Sequence, residues 1–123
     1  MIVSVHSFGF GRVPLARWQD VFAFTFTGPL AEELLIRGLV LTAAARIWPP
    51  SDLRPSRAVF FAATTFSLMH LQYHSFRFDS ASCAQLAWTF PFGVLTGWMA
   101  ERTGSLWPSF ALHLLNNALV QLV

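Results

Sequence analysis

The sequence predicts an all-α protein, a polytopic bundle of about four transmembrane helices, and three features of composition and pattern lead to this fold class. Charged residues make up 11% of the 123 residues, whereas soluble domains average about 25%. The apolar fraction of 54%, with 13 Phe and 5 Trp, exceeds what a small soluble domain can bury. Charge-free stretches recur at about 20 residues, the length that a helix needs to cross the hydrocarbon core.

Three of the four predicted helices follow from these charge-free stretches. The stretches run from Ala58 to Phe76, from Ser80 to Ala100 and from Thr103 to Val123. Connections are predicted from Trp48 to Pro55, around Arg77 to Ser80, and at Thr103 to Ser105, where proline, glycine and polar residues are typical of turns between helices. Each stretch is therefore long enough to span a bilayer if its ends lie at the interface.

The first predicted helix differs from the others because charge lies at its centre. Its apolar parts, Val21 to Ala31 and Gly38 to Ala45, flank Glu32, Glu33 and Arg37. One charged residue at the bilayer centre costs about 2.5 to 3.5 kcal/mol on insertion scales. Three of them in one span therefore need partners or a function.

A Gly28-Pro29 pair precedes the acidic residues, and we expect it to break or kink the first helix there. Proline lacks a backbone N–H and crowds the preceding turn. Backbone carbonyls in that turn then need other partners. The two carboxylates would lie near a local helix N-terminus, where negative charge is favoured.

The three central charges are predicted to play different parts. Glu33 and Arg37 are four residues apart with the acid first, which is the better orientation for a helical ion pair. Glu32 points about 100° away from Glu33 around the helix and has no evident cation on its own helix. Intramembrane carboxylates without a partner are functional candidates by default.

Two other predicted helices supply imidazole and amide groups. Phe66 and His70 are four residues apart on one face, and His113 and Asn117 are four apart on one face of the last helix. An imidazole and an amide one turn apart can donate two hydrogen bonds to one oxygen, as an oxyanion requires. The alternative interpretation is structural, since Asn and His often bridge membrane helices.

Three motifs stand in a fixed order: EELLIRG at Glu32 to Gly38, FSLMH at Phe66 to His70, and HLLNN at His113 to Asn117. They resemble the motifs of the CAAX-protease and bacteriocin-processing (CPBP) family of intramembrane endopeptidases, which has Rce1-like and Abi-type members. In that family a Glu pair precedes Arg and Gly, a Phe stands four before a His, and a His stands four before an Asn. Ile36 departs from the pattern, because the family usually has Phe at this position.

The resemblance implies an endopeptidase that hydrolyses a peptide bond of a membrane-associated peptide or protein, in CAAX-type or bacteriocin-related processing. The catalytic residues that it implies are Glu32, Glu33, His70, His113 and Asn117, with Arg37 and Phe66 as structural support. The first glutamate and the first histidine of this set would activate a water. The second histidine and the asparagine would stabilise the oxyanion, and the second glutamate would hold the arginine or assist.

No cofactor is favoured, although the family is often labelled a metalloprotease and a divalent metal such as Zn is the alternative. Its ligands would then be Glu32, His70 and His113, residue types that bind Zn in proteins. The sequence has no HExxH pattern, so such a site would need three separate helices. We expect a membrane peptide or a lipidated protein as substrate and the lipid bilayer as surroundings. The basic residues form no cluster, which argues against nucleic acid as a partner.

We expect residues 1–17 to form an N-terminal arm and residues 18–123 to form the protease core, in a bacterial cell membrane. The family usually has further helices before the acidic pair, so this core is short at its N-terminal side. Two other functions stay open at this point. One is a non-catalytic membrane immunity or scaffold protein of the same fold, and the other is a relay that moves protons or ions through Glu and His residues.

Overall fold

A computed structural model describes the protein from residue 18 to residue 122. The elements are α1 (Trp18–Phe22), a first π-helical segment (Ala23–Thr27), α2 (Gly28–Glu33), a second π-helical segment (Leu34–Leu41), α3 (Thr42–Ile47), α4 (Arg57–Met69), a 3₁₀ turn (His70–His74), α5 (Ser80–Thr103) and α6 (Trp107–Leu122). The first five are contiguous and form one helix over residues 18–47, called here the first helix. The predicted N-terminal arm, residues 1–17, lies outside the described residues.

The described part of the chain contains helices and no strand, so the predicted all-α class is confirmed. It has four successive helices in the predicted order, counting the first helix as one. Among the helices of residues 18–122, none is both long enough and apolar enough to cross a membrane.

The end of α4 differs from the prediction. The helix ends at Met69 rather than at Phe76, because the chain tightens into the 3₁₀ turn. Ser75 and Phe76 then adopt left-handed backbone conformations, with φ of 52° and 57°. Left-handed residues end a right-handed helix. This turn brings His70 to the end of α4, where its side chain faces the neighbouring helices.

Both ends of α5 are fixed by local chemistry. The Asp79 carboxylate accepts a hydrogen bond from the Ser82 N–H at 2.9 Å, and the Ser82 hydroxyl accepts one from the Asp79 N–H at 2.9 Å. This reciprocal pair is a capping box. The Ser82 N–H favours the ionised carboxylate and lowers the pKa of Asp79. Gly104, with φ of 65°, ends the helix, and α6 begins at Trp107, after the turn predicted at Thr103 to Ser105.

The first helix does not break at Gly28-Pro29, because it continues through this pair directly after a π-helical segment. Gly28 has helical torsions, and its N–H donates to the carbonyl of Ala23, five residues earlier. This wider π turn leaves room for the proline ring in the first turn of α2. In a regular α-helix the Gly28 N–H would donate to the carbonyl of Phe24, but here it donates to Ala23 instead. The next residue, Pro29, has no N–H, so the Phe24 carbonyl has no backbone donor from this turn.

Helices α4 and α5 pack closely because small residues face each other. A Cβ added to Gly93 would lie 3.1 Å from Cδ1 of Phe66 and 3.2 Å from Cα of Ala63. A Cβ added to Gly97 would lie 3.2 Å from Cγ1 of Val59. The second π-helical segment and α3 pack on α4, while α6 packs on α5, α2 and the first π-helical segment. This arrangement gathers four helices around the buried ring of Phe66.

We expect Gly93→Ala to destabilise the protein by about 1 to 3 kcal/mol, since the added methyl group overfills this contact. Gly38→Ala is the matched control, because a Cβ there meets nothing within 4 Å. Alanine favours helix over glycine by up to about 1 kcal/mol, so the control should be neutral or stabilising. Thermal unfolding in detergent checks both variants. Equal melting temperatures for the two would show that the approach of α4 and α5 is not tight.

Candidate active site

The second glutamate of the EELLIRG motif lies at the buried centre of the site. Glu33 is fully buried at the end of α2. Its Oε1 accepts a hydrogen bond from Nδ1 of His113 in α6 at 2.9 Å. Its Oε2 lies 3.3 Å from Nε of Arg37, so the ion pair that the sequence predicts is present. The first helix and α6 are thus joined through one carboxylate.

The first glutamate of the motif occupies a more open position. The Glu32 side chain is 17% exposed, and its Oε2 lies 3.6 Å from Nε2 of His113. The two adjacent carboxylates therefore face the two nitrogens of one imidazole. The close partner of the Glu32 carboxylate is thus His113 of α6, whereas Arg37 of its own helix pairs with Glu33.

His70 is held by its own helix. Its Nδ1 lies 2.7 Å from the carbonyl oxygen of Phe66. A carbonyl can only accept, so Nδ1 carries the hydrogen and neutral His70 has its lone pair on Nε2. The His70 ring also interacts electrostatically with Glu32 and His113. The family resemblance implies a pairing of Glu32 with His70, whereas the close contact that the structure shows for the Glu32 carboxylate is with Nε2 of His113.

The Phe66 ring packs against three polar groups of the site. It meets the His70 ring edge-on at 4.7 Å between centroids and the His113 ring at 5.6 Å. The guanidinium carbon of Arg37 lies 4.6 Å from the centroid of the same ring, a distance at which the cation is attracted to the ring face. The structural support expected of Phe66 is thus a direct contact with both imidazoles.

Asn117 lies one turn after His113 in α6 and also faces the first helix. Its Nδ2 donates to the carbonyl oxygen of Phe24 at 3.1 Å. This is the carbonyl that the π turn and Pro29 leave without a helical donor. An amide NH₂ has two hydrogens, so one hydrogen remains for a second acceptor.

The comparison with protein families agrees with this geometry. The model of the family "Type II CAAX prenyl endopeptidase Rce1-like" matches residues 14–119, which include all three motifs. The chain belongs to this family. Rce1-like proteins are peptidases and integral membrane proteins. Comparisons with curated proteins and with solved structures found no match.

Sequence analysis of this Rce1-like chain missed two polar residues of the site. Nη2 of Arg37 donates to the hydroxyl of Thr96 in α5, which is fully buried. Tyr73, in the 3₁₀ turn, has its ring 5.8 Å from that of His70 and lies within electrostatic reach of Glu32. Thr96 carries no charge and belongs to no motif. Tyr73 stands three residues after His70, and this spacing was the available signal.

The sequence also leaves open a divalent metal at the Rce1-like site. The alternative ligand set from the sequence is Glu32, His70 and His113. In residues 18–122 no group of three or more His, Cys, Asp or Glu side chains is arranged to hold a metal ion. Both nitrogens of His113 face the carboxylates of Glu32 and Glu33. Catalysis without a cofactor and the alternative with a divalent metal both stay predictions.

Proposed function

We propose that this chain is a membrane-embedded endopeptidase that hydrolyses a peptide bond of a membrane-associated peptide or lipidated protein, in CAAX-type or bacteriocin-related processing. The observation that carries the proposal is that two adjacent carboxylates differ in burial and in their partners. Glu33 is completely buried and engaged by Arg37 and His113, whereas Glu32 is partly exposed beside the same imidazole. One carboxylate holds the site together and the other is accessible to water and substrate.

Glu32 acts as the general base in this proposal. It takes a proton from a water as the water oxygen attacks the peptide carbonyl carbon. The same proton is then delivered to the leaving nitrogen as the C–N bond breaks, which balances the reaction. His70 has its Nε2 lone pair in neutral form and lies within electrostatic reach of Glu32. It assists by accepting a hydrogen bond from the attacking water.

His113 and Asn117 stabilise the tetrahedral oxyanion. In the protonated form that this role requires, His113 donates through Nδ1–H to Glu33, which fixes the ring, and offers Nε2–H on the side of Glu32 and the reacting groups. Asn117 uses one amide hydrogen on the Phe24 carbonyl and offers the other. Donors held in place before the reaction act more strongly on a developing charge than solvent does.

We expect Asn117→Ala to lower kcat by about 10² to 10³-fold, the usual cost of one oxyanion donor. The substitution also leaves the Phe24 carbonyl without its donor, which should cost about 1 to 3 kcal/mol of stability. Asn116→Ala is the matched control, because its amide stands one position away and donates to Oδ1 of Asn117. Steady-state kinetics and thermal unfolding measure both effects. A kcat no lower than that of the control would remove Asn117 from oxyanion stabilisation.

The surface of the helices supports a membrane location for this function. Large apolar side chains are exposed on each of the four helices, among them Trp18, Leu39, Phe60, Phe61, Trp88, Leu95, Leu115 and Leu119. Soluble monomers rarely expose large apolar patches, so exposed apolar side chains on every helix suit lipid surroundings. Together with the family, this surface favours an integral membrane protein, and we propose a bacterial cell membrane as its location.

The full chain in proteoliposomes tests the proposed function. Two fluorogenic peptides of the same CAAX-type sequence are supplied, one farnesylated and one without lipid. We expect cleavage of the farnesylated peptide, and we expect a chelator to leave the rate unchanged. A correctly folded parent that cleaves neither peptide would contradict the endopeptidase, and proton flux across the vesicles would then favour the relay. Loss of activity with chelator, restored by Zn, would contradict the metal-free mechanism.

A further inference from the structure

We propose that Thr96 is a positioning residue for this site, which acts on His113 through Arg37 and Glu33. The inference rests on the proposed function only for its kinetic readout. The residues concerned are all buried, with exposures of 0% for Thr96, 4% for Arg37, 0% for Glu33 and 4% for His113. In such surroundings water does not replace a lost hydrogen bond, so a displaced polar group affects its neighbours directly.

The guanidinium of Arg37 takes its orientation from α5. Nη2 donates to the Thr96 hydroxyl and to the Gly93 carbonyl, the latter at 3.5 Å. Within the described residues, Nε and Nη1 of Arg37 make no hydrogen bond, although Nε contacts the Glu33 carboxylate at 3.3 Å. The ionic contact holds the Arg37 guanidinium near Glu33, and the hydrogen bonds to α5 fix the orientation of the guanidinium.

The Thr96 hydroxyl is suited to accept from a cation. Its own hydrogen points to the carbonyl of Phe92, four residues earlier, at 2.8 Å. The lone pairs of the oxygen therefore remain for Nη2 of Arg37. Valine at this position keeps the shape of the side chain but removes the acceptor, so Nη2 retains only its long contact to Gly93.

Thr96 is also connected to α6 by its backbone. The Ser109 hydroxyl donates to the Thr96 carbonyl at 2.6 Å, one turn before His113. A substitution of the Thr96 side chain leaves this carbonyl in place. We therefore expect an effect of Thr96→Val on His113 to pass through Arg37, which reaches His113 by way of the Glu33 carboxylate and the Phe66 ring.

Thr89 provides a matched control on the same helix. It is 4% exposed, and its hydroxyl donates to the carbonyl of Gln85, four residues earlier, at 2.9 Å. Its other partners are the Ser67 hydroxyl at 3.0 Å and the Leu86 carbonyl at 3.5 Å, and neither carries a charge. Thr89→Val thus removes the same group from the same helix without touching the arginine.

The kinetic test measures kcat and KM for the farnesylated peptide in proteoliposomes. We expect Thr96→Val to lower kcat by about 10- to 100-fold with KM changed by less than roughly two-fold, since displacement of a catalytic group by about 1 Å has effects of this size. Thr96→Ser restores the hydroxyl and should recover kcat to within about three-fold of the parent, the range expected of Thr89→Val as well.

A spectroscopic test is independent of catalysis. In protein labelled with ¹⁵N-histidine, the ring N–H signal of His113 is assigned by its loss in His113→Gln. Thr96→Val should shift or broaden this signal, and Thr96→Ser and Thr89→Val should leave it in place. If the parent cleaves no peptide, the proposed function fails and this signal alone decides the inference.

A parental His113 signal and a parental kcat in Thr96→Val would overturn the positioning role. If Thr96→Val does not fold, Thr96→Ala is compared with Thr89→Ala in the same two measurements, since alanine leaves room for a water beside the guanidinium. A shift confined to the Thr96 variant supports the inference, and equal behaviour of the two alanine variants contradicts it.

Discussion

Glu32→Gln is expected to abolish hydrolysis while the protein still folds and melts like the parent. Glutamine keeps the volume of the side chain and its hydrogen bonding but cannot take a proton from water. General-base catalysis typically contributes about 10² to 10⁴-fold to the rate. The fold should be unaffected because Glu32 is partly exposed and its contact to His113 is long, at 3.6 Å.

The measurement is peptide cleavage in proteoliposomes, with thermal unfolding of the same samples. Asp52→Asn is the control, because it removes one carboxylate charge from an exposed position whose ionic partner is Arg54. His70→Ala added to Glu32→Gln should be scarcely worse than either change alone, since residues that act as a unit are strongly non-additive. Cleavage by Glu32→Gln at the parental rate would exclude Glu32 and leave Glu33 as the candidate base.

Much of the site was predictable because spacing along a helix determines which residues lie on the same face. Residues four apart point the same way, so the pairing of Glu33 with Arg37 and the contact of the Phe66 and His70 rings follow from the sequence alone. The order of the helices followed from the charge-free stretches. The local motifs thus determine which side chains share a face of each helix.

The parts that were not predictable depend on how the helices pack. Spacing within α6 does not say which carboxylate His113 meets, and the structure shows it between both glutamates. Thr96 was not predicted because a single neutral side chain in an apolar helix forms no recognisable pattern. Its role depends on a hydrogen bond from Arg37 of another helix. These contacts join residues about 60 to 80 positions apart, and no local pattern records them.

The behaviour of proline in the first helix was predicted only in part. A backbone carbonyl in need of a donor was expected, and Phe24 provides it. The helix does not break, because a π turn accommodates the proline and the backbone stays helical through the pair. The carbonyl that this turn frees accepts a hydrogen bond from Asn117 of α6, a contact that spacing within the first helix does not predict.

Arg37→Ala is expected to lower the stability of the folded protein by about 3 to 5 kcal/mol, the usual cost of removing one partner from a buried ion pair. Glu33 would keep its charge in a fully buried position with His113 as its remaining partner. The α5 contacts of the guanidinium and its position over the Phe66 ring would be lost as well. Accumulation in membranes and thermal unfolding in detergent measure the effect.

Arg54→Ala is the control, because this arginine side chain is 88% exposed and its partner Asp52 is exposed too. Surface substitutions of this kind usually change stability by less than about 0.5 kcal/mol. If Arg37→Ala accumulated and melted like Arg54→Ala, the structural role of the ion pair would have to be dropped. If the unpaired charge is the cause, adding Glu33→Gln to Arg37→Ala should restore part of the stability, because a neutral amide is cheaper to bury than a carboxylate. Activity should not return with it, since the amide no longer holds His113 through an ionic hydrogen bond.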